Sequence, residues 1–367
     1  MSGLMSPRKT LLTRALGSLR VLVSPRGAVF LLLAALLVSI AILNPNFADP
    51  SQSIRFVQRV APIAIIAIGQ YFVIVSGEFD LSMGAVIAAQ VVIAGNLIGD
   101  YESRSIPVLF LMMAFGIVVG LVNGLVTTML GVPSFITTLG MMLALIGGVY
   151  YVTGGSASGN PADGFREIGR GGIRDVPVFD IIPWAVIVLI AALAVAIWIS
   201  RSPFGKTLIA VGDNVTTQLY SGAQVRRVKT TAFIISALSS SVAGVLLVGY
   251  AGVHPSVGSG YEFIAITAVV LGGVVLGGGR GWVVAAVAGA FTLEALFTLL
   301  NFANVPSTWR DTIQGAIIIL AVAYSASNLT GRRKRRTSQT SPTTGKEPEF
   351  KSSPAEPASH THKTNGG

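Results

Sequence analysis

Nearly uncharged runs of 16–25 residues recur along this chain, and they constrain its fold more than any motif does. A helix needs about 20 apolar residues to cross ~30 Å of hydrocarbon, because each residue advances it by about 1.5 Å. Ten such spans can be read: 27–43, 60–76, 81–98, 106–130, 134–152, 181–199, 231–250, 263–278, 282–300 and 312–327. The runs show no sustained period-two alternation and are too long for barrel strands. Only 11% of residues are charged, against about 25% in a soluble domain, and 52% are hydrophobic. The expected fold class is therefore all-α: a polytopic membrane helix bundle of about ten transmembrane helices. The breaks at 77–80 and 131–133 are short, and each reads equally as a loop or as an irregular dip inside the membrane.

The charges fix an orientation. Arg8, Lys9, Arg14, Arg20 and Arg26 precede the first span. Arg201, Lys206, Arg226, Arg227 and Lys229 occupy the 200–230 loop, and Arg332-Arg333-Lys334-Arg335-Arg336 follows the last span. Ten spans put these segments on one side, which holds 19 of the 26 basic residues once Arg280 and three tail lysines are added. The positive-inside rule makes that side, and both termini, cytoplasmic. The net charge of +10 is thus topological, and no nucleic-acid partner is expected. Residues 1–26 read as a basic cytoplasmic segment without a cleavage site, 27–330 as the transmembrane domain, and 331–367 as a disordered cytoplasmic tail. The 153–180 connection reads as an irregular external loop.

There is no cysteine, and His360 and His362 lie in the extreme tail, leaving His254 alone among the spans. Thiolate metal sites are excluded, and a His-dependent triad or buried metal centre would have to rest on His254 alone; no metal, cofactor or catalytic residue is expected. Gly116, Gly120 and Gly124 recur every four residues on one face of the fourth span, where two backbones can approach closely. Gly272 and Gly273, with Gly277-Gly278-Gly279, suit packing too. Acids near spans are few: Glu78, Asp80, Glu262 and Glu294. Ser259-Gly260-Tyr261-Glu262 matches a capping box. Asp80 and Ser82 stand where an acid complements a helix N-terminus. Glu294 lies inside the ninth span, and there it faces the bundle interior or a wet cavity.

Several stretches resemble one family, the ribose-type sugar permeases of ABC importers. Gly77-Glu78-Phe79-Asp80-Leu81-Ser82-Met83-Gly84 resembles its GxIDLSxG signature. Gly120-Leu121-Val122-Asn123-Gly124, then Pro133-Ser134-Phe135-Ile136-Thr137-Thr138-Leu139-Gly140, resemble its next conserved region. Pro203-Phe204-Gly205-Lys206-Thr207 through Gly212-Asp213-Asn214 to Ser221-Gly222 is similar to its long cytoplasmic loop. Gly260-Tyr261-Glu262, Val269-Val270-Leu271-Gly272-Gly273 and Gly278-Gly279-Arg280-Gly281 complete the pattern, in order, from about residue 55 to 327. The chain departs from it at Thr216-Thr217, at Val274-Val275, and at Glu294, where the family is usually apolar.

The resemblance implies a permease subunit, not an enzyme. It implies pairing with a second permease, identical or a paralogue, and docking to a cytoplasmic ATPase with two nucleotide sites. Cargo then comes from an extracytoplasmic sugar-binding protein. The chain has no G-x-x-x-x-G-K-[ST] loop, so ATP belongs to the partner. A monosaccharide or related polyol loses many hydrogen bonds in lipid, and a transient polar path reduces that cost. Ser82, Asn123, Thr137 and Thr138, with Glu78 and Asp80 near the cytoplasmic mouth, are the expected path residues. The loop residues Gly205, Gly212, Asp213, Asn214, Ser221 and Gly222 are the expected coupling set, with Gly212 and Gly222 bounding one short helix. The alternatives are an ion-coupled secondary transporter, which needs paired deep acids, an integral membrane enzyme, and a permease of the wider family for a nucleoside or amino acid.

Overall fold

In a computed structural model of the chain, the described residues are 25–320, except 158, together with 323. The basic segment 1–26, but for its last two residues, and the tail 331–367 lie outside them. The expected last span is covered only in part, as helix from 309 to 320.

Helix α1 is Pro25–Leu43, α2 Pro50–Val75, α3 Met83–Ile98, α4 Ser105–Met129 and α5 Ser134–Thr153. A short helix α6, Asp163–Arg170, and strands β1, Gly172–Val176, and β2, Asp180–Pro183, follow. Then come α7 Trp184–Arg201, α8 Pro203–Asp213, α9 Val215–Tyr220, α10 Val225–Ala251, α11 Tyr261–Leu271 and α12 Val283–Phe302. Among the described residues, six helical stretches are long and apolar enough to cross a membrane: Pro50–Val75, Glu102–Met129, Ser134–Thr153, Trp184–Arg201, Val225–Ala251 and Val283–Phe302. Three apolar helices are shorter: Gly27–Leu43, Met83–Ile98 and Tyr261–Leu271.

The differences from the sequence reading have local causes. The 153–180 connection is not simply irregular. The first turn of α6 carries Asp163, which the Arg170 guanidinium reaches at 2.9 Å, and β1 pairs antiparallel with β2, Gly172 opposite Pro183. The bundle is thus helical apart from one hairpin. That hairpin takes the start of the expected 181–199 span, so α7 begins only at Trp184. Helix α2 begins ten residues before its apolar run. Asp49 accepts the Ser51 N–H at 2.9 Å and Pro50 sits in the first turn, a strong start signal. The 263–278 run is not one helix. α11 ends at Leu271, and the following Gly272-Gly273 turn, with Gly273 at φ 78°, cannot extend it. Eleven residues rise only about 16 Å, half of a bilayer.

Helix α10 is the hub. It packs along α4, α2 and α3, and near its C-terminal end along α6. Helix α12 lies between α11, α1 and α2. In α2 and α10, 83% and 72% of the apolar window is buried, against 11% in α5. Two helices are therefore interior, while α5 presents its apolar surface outward.

The approach of α4 to α10 depends on glycine. A Cβ on Gly120 would stand 2.6 Å from Ile234 Cα, and one on Gly124 2.7 Å from Thr230 Cα. One on Gly116 would meet the Ser241 hydroxyl and, at 3.2 Å, the Ala237 carbonyl. In α11, a Cβ on Gly272 would overlap the Ala285 carbonyl and lie 2.8 Å from Ala286 Cα of α12.

Candidate functional site

Helix α2 stops at Val75, and the chain unwinds until Met83 starts α3. Gly77, at φ 85°, makes the turn. The seven-residue break carries the acids singled out in the sequence, and its polar groups need partners where no water reaches.

Asp80 is fully buried. Its Oδ1 accepts the Ser82 N–H at 2.9 Å and the Ser82 hydroxyl at 2.6 Å, and its Oδ2 accepts the Ser236 hydroxyl of α10 at 2.7 Å. Asn123 of α4 donates its Nδ2 to Ser82 Oγ at 2.9 Å. Asp80, Ser82, Asn123 and Ser236 are all at 0% exposure. One carboxylate thus joins the break to α10 directly and to α4 through Ser82. The first turn of α5 holds the same break by its backbone. Phe79 N–H donates to Ser134 Oγ at 3.1 Å, and Leu81 N–H to Thr138 Oγ1 at 3.0 Å. Thr138 is buried. Thr137 is half-buried, and its Oγ1 has no hydrogen-bond partner among the described residues. Glu78 forms an ion pair with Lys229 at the start of α10.

These contacts belong to a polar column on the α10 surface. From the end bearing α8 and α9 it runs through Lys229 with Glu78, and Thr230 with Thr128 at 3.2 Å. It continues through the Asp80 cluster to Gln90 of α3, whose Nε2 donates to Ser241 Oγ at 2.6 Å and to the Met112 carbonyl at 2.7 Å. Ser236, Ser241 and Gln90 were not singled out from the sequence, and Lys229 and Ser134 were not among the expected path residues. The available signal was the spacing of Ser236, Ser240 and Ser241 inside an apolar run, one face of one helix.

The long loop folds as two helices rather than one, and Gly212 lies inside the first. Ser202 caps α8, its Oγ accepting the N–H of buried Gly205 at 3.3 Å. Asn214 ends α8 and caps α9, its Oδ1 accepting the Thr217 N–H at 2.9 Å. Ser221 closes α9, donating to the Gln218 carbonyl at 2.8 Å, and Gly222 follows at φ 80° with open space around it. No residue of α9 is buried, and Tyr220 is 89% exposed.

Gly212 ties this loop to the bundle. A Cβ there would overlap the Val75 carbonyl and stand 2.6 Å from Gly279 N. Gly279 N–H itself donates to the Val75 carbonyl at 2.9 Å. A Cβ on Gly278 would be 2.8 Å from the Gly212 carbonyl and 2.9 Å from Gly77 Cα, and one on Gly279 would be 2.5 Å from Asp213 Cα. The end of α8 therefore meets the last residue of α2 and the 272–282 break backbone to backbone, and that break in turn packs on Gly77 of the 76–82 break.

The expected capping box at 259–262 does not form. Gly260 occupies the cap position in a left-handed conformation with no side-chain bond. Glu262 is buried, and its carboxylate approaches Gly84 at the start of α3, where a Cβ would collide with it. His254 stabilises its own loop, its Nδ1 2.6 Å from the Ser256 hydroxyl. Among the described residues no His, Asp and Glu cluster could hold a metal ion.

Residues 53–322 match the sequence model of a family described as the permease component of the branched-chain amino acid transport system. The ribose import permease protein RbsC of Bacillus subtilis is 34% identical over 299 residues, 80% of this chain and 90% of that protein. The L-arabinose ABC transporter permease protein AraH of Azospirillum brasilense is 30% identical over 323 residues, 87% of this chain and 93% of that one. The galactose/methyl galactoside import permease protein MglC of Haemophilus influenzae is 31% identical over 316 residues, 82% and 94%. No solved structure matches the chain.

Proposed function

The chain belongs to the family of branched-chain amino acid transport system permease components, and from that premise we propose that it carries a monosaccharide or related polyol as the membrane subunit of an ATP-driven importer. It is a multi-pass membrane protein and a transport subunit. The cargo class rests on the relatives, named for ribose, L-arabinose and galactose import. We further place ten spans in a bacterial inner membrane, with both termini and the α8–α9 loop in the cytoplasm, on the strength of the basic-residue asymmetry. ATP is bound by a partner ATPase with two nucleotide sites, cargo arrives from an external binding protein, and a second permease subunit completes the assembly.

One observation carries the coupling. A neutral cargo gives the membrane potential nothing to act on, so accumulation needs a mechanical input from outside the bundle. The exposed α9 is the surface for that contact, and the preceding α8 meets at Gly212 the end of α2 at Val75 and the 272–282 break at Gly279, which adjoins Gly77 through Gly278. Movement of α8 then moves 76–82 and 272–282 together, as a rigid-body shift. Asp80, Ser82 and Thr138 find their side-chain partners within one bundle, and of Asn123 only Oδ1 lacks one among the described residues, which favours a positioning role for all four in this packing. They join a cargo path when the helices part and cargo hydroxyls replace these bonds. Thr137, with its unbonded hydroxyl, and Glu78 complete that path.

The test is uptake of labelled D-ribose, L-arabinose and D-galactose into vesicles containing the chain and its cognate ATPase and binding protein. Accumulation of one sugar should require ATP and survive collapse of the sodium and proton gradients. Uptake that follows an ion gradient instead would identify a secondary transporter, and accumulation of leucine with no sugar would move the cargo to amino acids.

A further inference from the structure

Glu294 is an acid inside a span that the Asp80 network leaves unused. It is half-buried in α12, and among the described residues no hydrogen bond or ion pair engages its carboxylate. A half-buried carboxylate facing hydrocarbon is costly, so this face of α12 looks onto water or polar groups.

The packing shows which groups those are. Gly272 lies against Ala285, and Gly289 lies against the Ala268 carbonyl, so α11 and α12 run antiparallel in a fixed register. Followed to the start of α11, that register brings Tyr261 within a turn of Glu294. On the other side, Phe56 of α2 packs against Phe291 at 6.2 Å between ring centroids. Gln58 of α2 donates to the Gly169 carbonyl at 3.1 Å, and a Cβ on Gly249 of α10 would be 2.5 Å from Gly169 Cα. Gly169 therefore gathers the stretches that carry Arg59 and Tyr250. Arg59 and Arg310 both lie within electrostatic reach of Glu294, as does Tyr250. The Arg310 guanidinium sits 5.4 Å over the Phe297 ring, one turn beyond Glu294. Neither Tyr250 nor Tyr261 has its hydroxyl engaged among the described residues, and Tyr250 is 43% exposed.

We propose that Glu294, Tyr250 and Tyr261, with Arg59 and Arg310 at the rim, form a subsite for an uncharged polyhydroxylated cargo at the end of the bundle away from α8 and α9. The inference rests on the import reading above and names a selectivity site for it. A carboxylate accepts two adjacent hydroxyls at once, the guanidiniums donate to further oxygens, and the tyrosines add a flat apolar wall with free hydroxyls. The groups are partly exposed, so occupancy is weak and release remains easy, as a conducting site requires.

The absence of cysteine allows a direct test in the assembled importer. Thr298→Cys places one thiol a turn beyond Glu294 and leaves the five groups intact. An impermeant methanethiosulfonate applied from outside should modify it. Saturating D-ribose, L-arabinose or D-galactose should slow that modification about fivefold, the sign of a mostly occupied site. In the same background Glu294→Gln should raise the sugar concentration needed for half-protection about tenfold, and Glu294→Asp should raise it less. No modification, no protection by any of the three sugars, equal protection with Glu294→Gln, or protection by sodium ions alone overturns the proposal. ATP-driven sugar uptake without protection removes the subsite and leaves the import function standing. Uptake that follows an ion gradient, with sugar protection that Glu294→Gln weakens, does the reverse.

Discussion

Asp80 is a fully buried carboxylate whose two oxygens both have partners inside the bundle. Three donors converge on its two oxygens at 2.6–2.9 Å, and one of them, Ser236, comes from a helix 156 residues away. Alanine at this position removes the acceptor and strands buried donors, each worth about 1–3 kcal/mol. Asparagine keeps one accepting oxygen and the shape of the side chain. The expected order of thermal stability in detergent is wild type, then Asp80→Asn, then Asp80→Ala. The Asp80→Ala and Ser236→Ala losses should be non-additive, coupled by about 0.5–3 kcal/mol. Additive losses, or an unchanged melting temperature for Asp80→Ala, would show that the cluster carries no structural weight. The presence of an acid and a serine at the start of α3 was legible in the sequence, because helix starts have local signatures. That Ser236 completes the carboxylate was not, since nothing in a serine on an apolar helix names its partner.

At the scale of the element, α8 and α9 differ in how they meet the bundle. α8 is wedged by Gly212, where a Cβ has no room, and α9 ends at Gly222, where a Cβ has room but the backbone is left-handed. The two glycines therefore fail differently when replaced. A β-branched residue at Gly222 is strained by about 1–3 kcal/mol from its backbone alone, while asparagine tolerates that conformation. Gly222→Val should insert and fold yet displace α9, so ATP hydrolysis by the reconstituted complex persists while uptake falls. Gly222→Asn should retain both. Wild-type uptake by Gly222→Val, with unchanged hydrolysis, would move the coupling contact elsewhere. The two-helix form depends on Asn214, which closes one helix and caps the next. The asparagine was visible in the sequence, but a cap at a helix start and a residue in a turn look alike until the flanking residues are placed.

Across the whole molecule, the basic-residue asymmetry and the end-to-end separation of α6 from α8 make one topological statement. An impermeant thiol reagent on intact cells should modify Ser156→Cys, in the exposed connection before α6, and should reach Thr216→Cys, on exposed α9, only after the membrane is breached. The opposite pattern would invert the orientation. The sequence by itself determined that this is a helical membrane protein, where nearly every apolar run lies, and which glycine face lets two helices meet. Those are local properties: hydropathy, length and the 3.6-residue period are written in contiguous residues. Only the tertiary structure decided that the 263–278 run stops halfway at Gly272, that 153–180 folds into a helix and a hairpin, and that Gly212 joins α8 to the end of α2 and to the 272–282 break. It also decided that Asp80 is held by Ser236 while Glu294 is left open beside two tyrosines. Those outcomes depend on which distant helices become neighbours, and a buried polar group acquires its partners only when the helices that carry them have packed.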